Sequence, residues 1–227
     1  MTRNDSDTGA GRLLAPWTVY GPQEDTLLLA RAMDRENVVA GTAVLDVGTG
    51  TGALALAAAG RGARVTAVDN TYRAVFTARV NARLAGLPVE VLHGDLFAPV
   101  AGRRFDLVVS NPPYVPTPGA AARSHGAAVA WDAGADGRQL LDRICRSAHR
   151  ALRPGGVLLL VHSALCGIPP TLAALERSGL RADVTDRSHV PFGPVLRSRR
   201  AWLRERGLIG AHEEKEELVI IHAERTR

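Results

Sequence analysis

From residue 24 onward the chain alternates short apolar runs with stretches of helical periodicity. Seven runs read as strands: 43–47, 64–68, 89–92, 105–109, 157–161, 181–185 and 218–222. Between them lie helical stretches. Residues 24–37 carry Leu27, Leu28 and the 30–33 segment on one side. Residues 50–59 form a small-residue helix able to pack closely on a sheet. Residues 71–85 form another, closed by Gly86 and Pro88. The strongest periodicity predicts a helix over 136–152, with Leu141, Ile144, Ala148 and Leu152 inward. Its arginines, Arg138, Arg143, Arg146, Arg150 and Arg153, are expected outward. Residues 170–178 add a further helix, and 194–206 a basic one that precedes the acidic run 213–217. Strands alternating with helices predict an α/β fold: a largely parallel sheet, right-handed crossovers and helices on both faces.

Length agrees with that reading. A chain of 227 residues, 46% hydrophobic, suffices for one domain with a sizeable core. We expect residues 1–15 to be a disordered tail and 16–227 a single domain with a basic insertion at about 191–210. No apolar run approaches the roughly 20 residues of a membrane span, and the first dozen residues lack an apolar signal core. A cytoplasmic protein with no membrane partner is expected. Cys145 and Cys166 stand singly, without metal-ligand spacing. The net charge of +5, carried by arginine, permits an acidic or nucleic-acid partner without requiring one.

Candidate chemistry gathers after the strands. Asp46-Val47-Gly48-Thr49-Gly50-Thr51-Gly52-Ala53 joins the first strand to its helix. Its glycines permit a tight turn and a close ligand approach. Gly48, Gly50 and Ala53 fit a dinucleotide fingerprint, with Asp69 as the ribose-binding acid, so a nicotinamide enzyme fits this segment alone. Asp46 shifts the balance. A carboxylate beside the turn repels a pyrophosphate and attracts an ammonium, and S-adenosylmethionine has an ammonium and no phosphate. Asp95, with Leu96 beside it, follows the third strand and suits an adenine amino group. Acids after strands one, two and three lie in order along the carboxyl edge, where ligands bind in such sheets.

After the fourth strand comes Asn111-Pro112-Pro113-Tyr114. Two prolines stop both pairing and helix formation, so the turn presents Asn111 and neighbouring carbonyls as acceptors. Two oxygens and an aromatic ring suit a planar –NH2 group. The expected reaction is direct methyl transfer to such a nitrogen, with Asn111 and the Pro112 carbonyl gripping the N–H donors and Tyr114 walling the pocket.

These motifs resemble the HemK/PrmC protein-glutamine family of class I S-adenosylmethionine-dependent methyltransferases. Residues 19–29 resemble the pre-motif of the family's short branch, and Asn111-Pro112-Pro113-Tyr114-Val115 its substrate motif. Ser124-His125-Gly126, Ala130-Trp131 and the 134–138 segment resemble the stretch downstream of that motif in the same branch. The resemblance implies a Rossmann-like, seven-stranded, mostly parallel sheet with an antiparallel final hairpin. It implies that Thr26, Asp46, Gly48, Asp69, Asn70, Asp95, Leu96 and Asn111 line the cofactor site, Gly50 lying in the same loop. It implies a protein glutamine substrate, such as a release-factor loop, and a small zinc-binding activator subunit for enzymes of the short branch. It also implies that the N-terminal helical domain of the long bacterial enzymes is absent. The chain departs from the branch at Gly21 and in its longer 191–207 segment. Other acceptors fit the same turn: adenine N6, guanine N2 or a small metabolite amine. For nucleic acid, Arg197, Arg199, Arg200, Arg204 and Arg206 would contact phosphates. A catalytically silent adaptor is disfavoured by the intact motif set.

Overall fold

The computed structural model describes residues 13–16, 19, 21–118 and 133–226. Residues 1–12 of the expected 1–15 tail lie outside them, as do Tyr20 of the pre-motif and Ser124, His125, Gly126, Ala130 and Trp131; within 13–15 the Leu14 backbone is hydrogen-bonded to the Asn81 side chain.

Seven strands make one sheet in the order β3-β2-β1-β4-β5-β7-β6. They are β1 (Ala43–Val47), β2 (Arg64–Asp69), β3 (Val89–His93), β4 (Phe105–Ser110), β5 (Leu152–Ser163), β6 (Leu180–Pro191) and β7 (Lys215–Arg225). The first five run parallel, and β7 pairs antiparallel with both β5 and β6. The apolar runs read as strands because they are buried on both faces; all five residues of β1 are buried. Chain order reverses between β1 and β4, and the carboxyl ends there open a crevice.

The helices are α1 (Glu24–Asp34), α2 (Ala53–Ala59), α3 (Tyr72–Ala85), α4 (Gln139–Ser147), α5 (Ile168–Arg177) and α6 (Pro194–Glu205). Leu28, Leu29, Ala32 and Met33 turn the apolar side of α1 into the core. Alanine-rich α2 lies almost wholly buried. Gly52 caps it at φ 88°, where an added Cβ would stand 3.2 Å from that of Ala78 on α3. Among the described residues no helix is long and apolar enough to cross a membrane.

Three expectations change. The helix expected over 136–152 is shorter: α4 gives way to a 3-10 turn at Ala148–Arg150, and Leu152 begins β5. Arg138 is buried rather than outward. Its guanidinium donates to the carbonyls of Cys166 and Gly167, to Thr171 and to Asp142. The residue precedes the helix, so helical periodicity does not set its direction. Strand β6 also runs past the expected end at 185, to Pro191. Its polar continuation, Asp186 to His189, is held by pairing with β7 at the sheet edge.

Candidate functional site

A cavity of about 370 Å³ opens at the carboxyl ends of β1 to β4. That volume suits a nucleoside-sized ligand. Thr26, Gly48, Gly50, Asp69, Asn70, Asp95, Leu96, Asn111, Pro112 and Tyr114 all line it. Ten of the residues expected from sequence thus meet at one place.

The glycine loop closes the β1 side. Gly48, Gly50 and Gly52 all have positive φ, and the Gly48 and Thr49 amides donate to the Val68 carbonyl. The turn is thereby fastened to the end of β2. Asp69 completes the fastening: one carboxylate oxygen accepts from the Gly50 amide at 3.0 Å, the other from the Thr71 amide and hydroxyl. Thr71 in turn caps α3. A carboxylate has about four lone-pair positions, so Asp69 retains capacity for ligand hydroxyls. Asp95 is half exposed and paired with Arg143, which also lines the cavity. Leu96 follows at φ 48°, a left-handed backbone position, and lines the cavity.

Asp46 departs from its expected place. It does not line the cavity; it sits 1% exposed beneath the loop. One oxygen accepts from the Thr49 hydroxyl at 2.6 Å and the Ala55 amide at 3.2 Å. The other oxygen is buried without a partner among the described residues. Burial, with Asp69 nearby, pushes its carboxyl up to about 7 against the opposing hydrogen bonds. An ammonium inside the cavity therefore has no direct contact with Asp46. The physical reason is the loop itself, which folds over the strand end and covers the side chain.

Sequence reasoning missed Asp25. Glu24 and Asp25 look like ordinary acids of a helix first turn. Asp25 is instead 2% exposed. Its Oδ2 accepts from the Tyr114 hydroxyl at 2.8 Å, and its Oδ1 accepts from the Thr26 amide and hydroxyl at 2.6 and 3.2 Å. This fixes a direction. Thr26 spends its one hydroxyl proton on Asp25, so its oxygen can only accept from Asn111. The Asn111 amide nitrogen lies 3.3 Å away and donates to it. The Asn111 carbonyl oxygen is left without a donor among the described residues, on a side chain that lines the cavity.

A clamp holds the turn from behind. The Cys166 thiol donates to the Tyr114 carbonyl at 3.0 Å. Gly137, at φ 72°, packs so closely that a Cβ would come within 2.3 Å of that carbonyl oxygen and 2.8 Å of the Cys166 sulfur. Arg138 anchors the same segment to the start of α5. Burial raises Glu216 on β7 to about 7, the Ser163 hydroxyl opposing and Asp25 adding to the shift.

The methyltransferase small domain family matches residues 21–128. A Methanocaldococcus jannaschii protein, provisionally named a protein N5-glutamine methyltransferase, is 35% identical over 180 residues, covering 78% of this chain and 89% of its own. A release factor glutamine methyltransferase of Gloeobacter violaceus is 40% identical over 161 residues, 67% of this chain. The chain spans 56% of that bacterial relative's length. Among solved structures, the E. cuniculi Mtq2-Trm112 complex, described as responsible for methylation of the eRF1 translation termination factor, superposes with a TM-score of 0.65. Sequence identity there is 25%, covering 92% of this chain and 99% of the other.

Proposed function

Since the chain belongs to the HemK/PrmC family of S-adenosylmethionine-dependent methyltransferases, we propose that it methylates the side-chain nitrogen of a glutamine in a protein. The observation that carries this reading is the Asp25–Thr26–Asn111 relay, which holds the amide nitrogen of a cavity-lining Asn111 and leaves its oxygen to accept. An oxygen fixed there accepts an N–H and rejects another acceptor, so it selects an –NH2 group over a hydroxylate or carboxylate.

The cavity residues fit the methyl donor. The glycine loop offers backbone at close range, Asp69 keeps lone pairs for ribose hydroxyls, and Leu96 offers an apolar face to adenine. Asp46 acts from behind by holding the loop through Thr49 and Ala55. Bound S-adenosylmethionine supplies an electrophilic methyl group on a sulfonium.

The chain's own contribution is placement. Asn111 and the Pro112 carbonyl take the two N–H donors of the acceptor and draw its nitrogen out of amide conjugation. Tyr114, 8% exposed and fixed by Asp25, walls the pocket. Orientation of this kind is worth about 7–11 kcal/mol over free encounter. The nitrogen sheds its proton after transfer, so no strong base is needed at Asn111.

A small activator subunit, as Trm112 is in the Mtq2-Trm112 complex, belongs to the same proposal. Tyr72, Phe76 and Leu84 on α3 are exposed beside β3, the edge strand of the sheet, and offer it an apolar surface. Protein methylation is tested with labelled cofactor and cell lysate treated separately with protease and nuclease. Label lost to protease alone supports a protein acceptor; label lost to nuclease refutes it.

A further inference from the structure

Helix α6 is built onto the rim of the acceptor turn. Arg199 donates to the Pro116 carbonyl at 3.0 Å. Pro116 is five residues past Asn111, hence at most about 18 Å from it by chain length. Val115, the residue after Tyr114, packs with Leu165 and Trp202 against a small core of Phe192, Leu196, Leu203 and Ile209. This core is separate from the main one, so the β6–β7 connection is a rigid platform and not a loose loop.

Its arginines divide into two groups. Arg199 is used on Pro116, and Arg200 pairs with Glu214 at 2.6 Å. Arg197, Arg204 and Arg206 are exposed and have no carboxylate within ion-pair range among the described residues. Arg197 and Arg204 lie two turns apart on one side of the helix, about 10 Å along its axis. Like charges grouped this way repel, so the fold gains nothing from them. An external anion satisfies them.

We infer that Arg197 and Arg204, which share one side of α6, dock an acidic face of the protein that carries the acceptor glutamine, and this rests on the glutamine reading above. Glu205 and Glu213 are exposed in the same region. A continuous phosphate backbone would run over those acids, whereas a folded protein meets the arginines with discrete carboxylates and leaves the acids in water. The platform thus supplies affinity for the carrier, while the cavity supplies chemistry for the side chain.

The test compares the parent with the double variant Arg197→Gln, Arg204→Gln. The probes are a recombinant bacterial release factor and a short peptide around its Gly-Gly-Gln tripeptide. Rim charge pairs are individually weak, so the expected KM for the release factor rises about three- to tenfold in the variant. KM for the peptide and Kd for the cofactor stay at parent values, which also shows the variant folded. Added salt raises the parent's KM toward the variant's and leaves the variant nearly unchanged. An unchanged release-factor KM in a peptide-active variant overturns the inference. Salt-sensitive RNA binding by the parent, lost in the variant with release-factor KM unmoved, overturns it in favour of nucleic acid. A parent inactive on both glutamine probes refutes the glutamine reading itself, and the inference falls with it.

Discussion

The Tyr114 hydroxyl donates to Asp25 Oδ2 across 2.8 Å, joining the acceptor turn to the first turn of α1. Through Thr26 the same carboxylate sets the orientation of Asn111. One buried acid therefore governs both the wall and the grip of the pocket.

Tyr114→Phe removes one donor to a buried carboxylate. Unfolding free energy should fall by about 1.5–3 kcal/mol. Asp25→Ala should cost more, because Tyr114 and both donors of Thr26 lose their acceptor. Its kcat should drop further than its cofactor affinity, since Asn111 is freed to rotate. Urea titration with steady-state kinetics measures both; an Asp25→Ala protein with parental kcat contradicts the relay.

Asn111→Ala should lose turnover and keep the cofactor. Loss of a single oriented hydrogen-bonding group at a reacting centre costs about 10²–10³ in kcat. Calorimetry reads the cofactor arm. Lost cofactor affinity alongside intact turnover would assign Asn111 to the wrong half of the site.

Asp46 and Glu216 are both pushed up to about 7, chiefly by burial. Their folded forms keep protons that the unfolded chain has already released. On these two groups alone the unfolded state binds fewer protons between about pH 4 and 7 and stability falls as pH rises; His162, which burial pushes down to about 4, slopes the other way until the unfolded imidazole loses its own proton. Asp46→Asn and Glu216→Gln should flatten this decline and each raise neutral-pH stability by on the order of 2 kcal/mol. Denaturant unfolding of the ligand-free protein at pH 5 and pH 8 checks the sign. A parent-to-variant difference in stability that is the same at pH 5 as at pH 8 would exclude the proposed protonation.

Gly137→Ala forces a methyl group toward the Tyr114 carbonyl and strains a backbone at φ 72°. Overpacking and left-handed strain together should cost more than about 2 kcal/mol. Activity should fall because Tyr114 must move. Thermal unfolding and kcat report the two effects; a neutral substitution would show that the clamp is slack.

Much of this was legible in the chain. The apolar runs announced the strands because parallel strands are buried on both faces, and β1, Val44 to Val47 above all, carries no solvent-facing position. The glycine loop, Asp69, Asp95 and the Asn111 turn could be ordered because each ends a strand on the same edge. Three features were not legible. Asp25 looks like a helix-start acid, and only the long-range approach of Tyr114 makes it a site residue. Asp46 lies at the right strand end but under its own loop, which local sequence does not show. Arg138 precedes α4, so its inward direction comes from the carbonyls at Cys166 and Gly167.

Whether a protein glutamine nitrogen receives the methyl group is read out by fragmentation mass spectrometry. A recombinant release factor is incubated with the purified chain and methyl-labelled S-adenosylmethionine, then sequenced by its fragments. One methyl group is expected on the glutamine side chain of the Gly-Gly-Gln tripeptide, absent with Asn111→Ala. Label on another residue type, or undiminished label with that variant, would contradict glutamine methylation by this site.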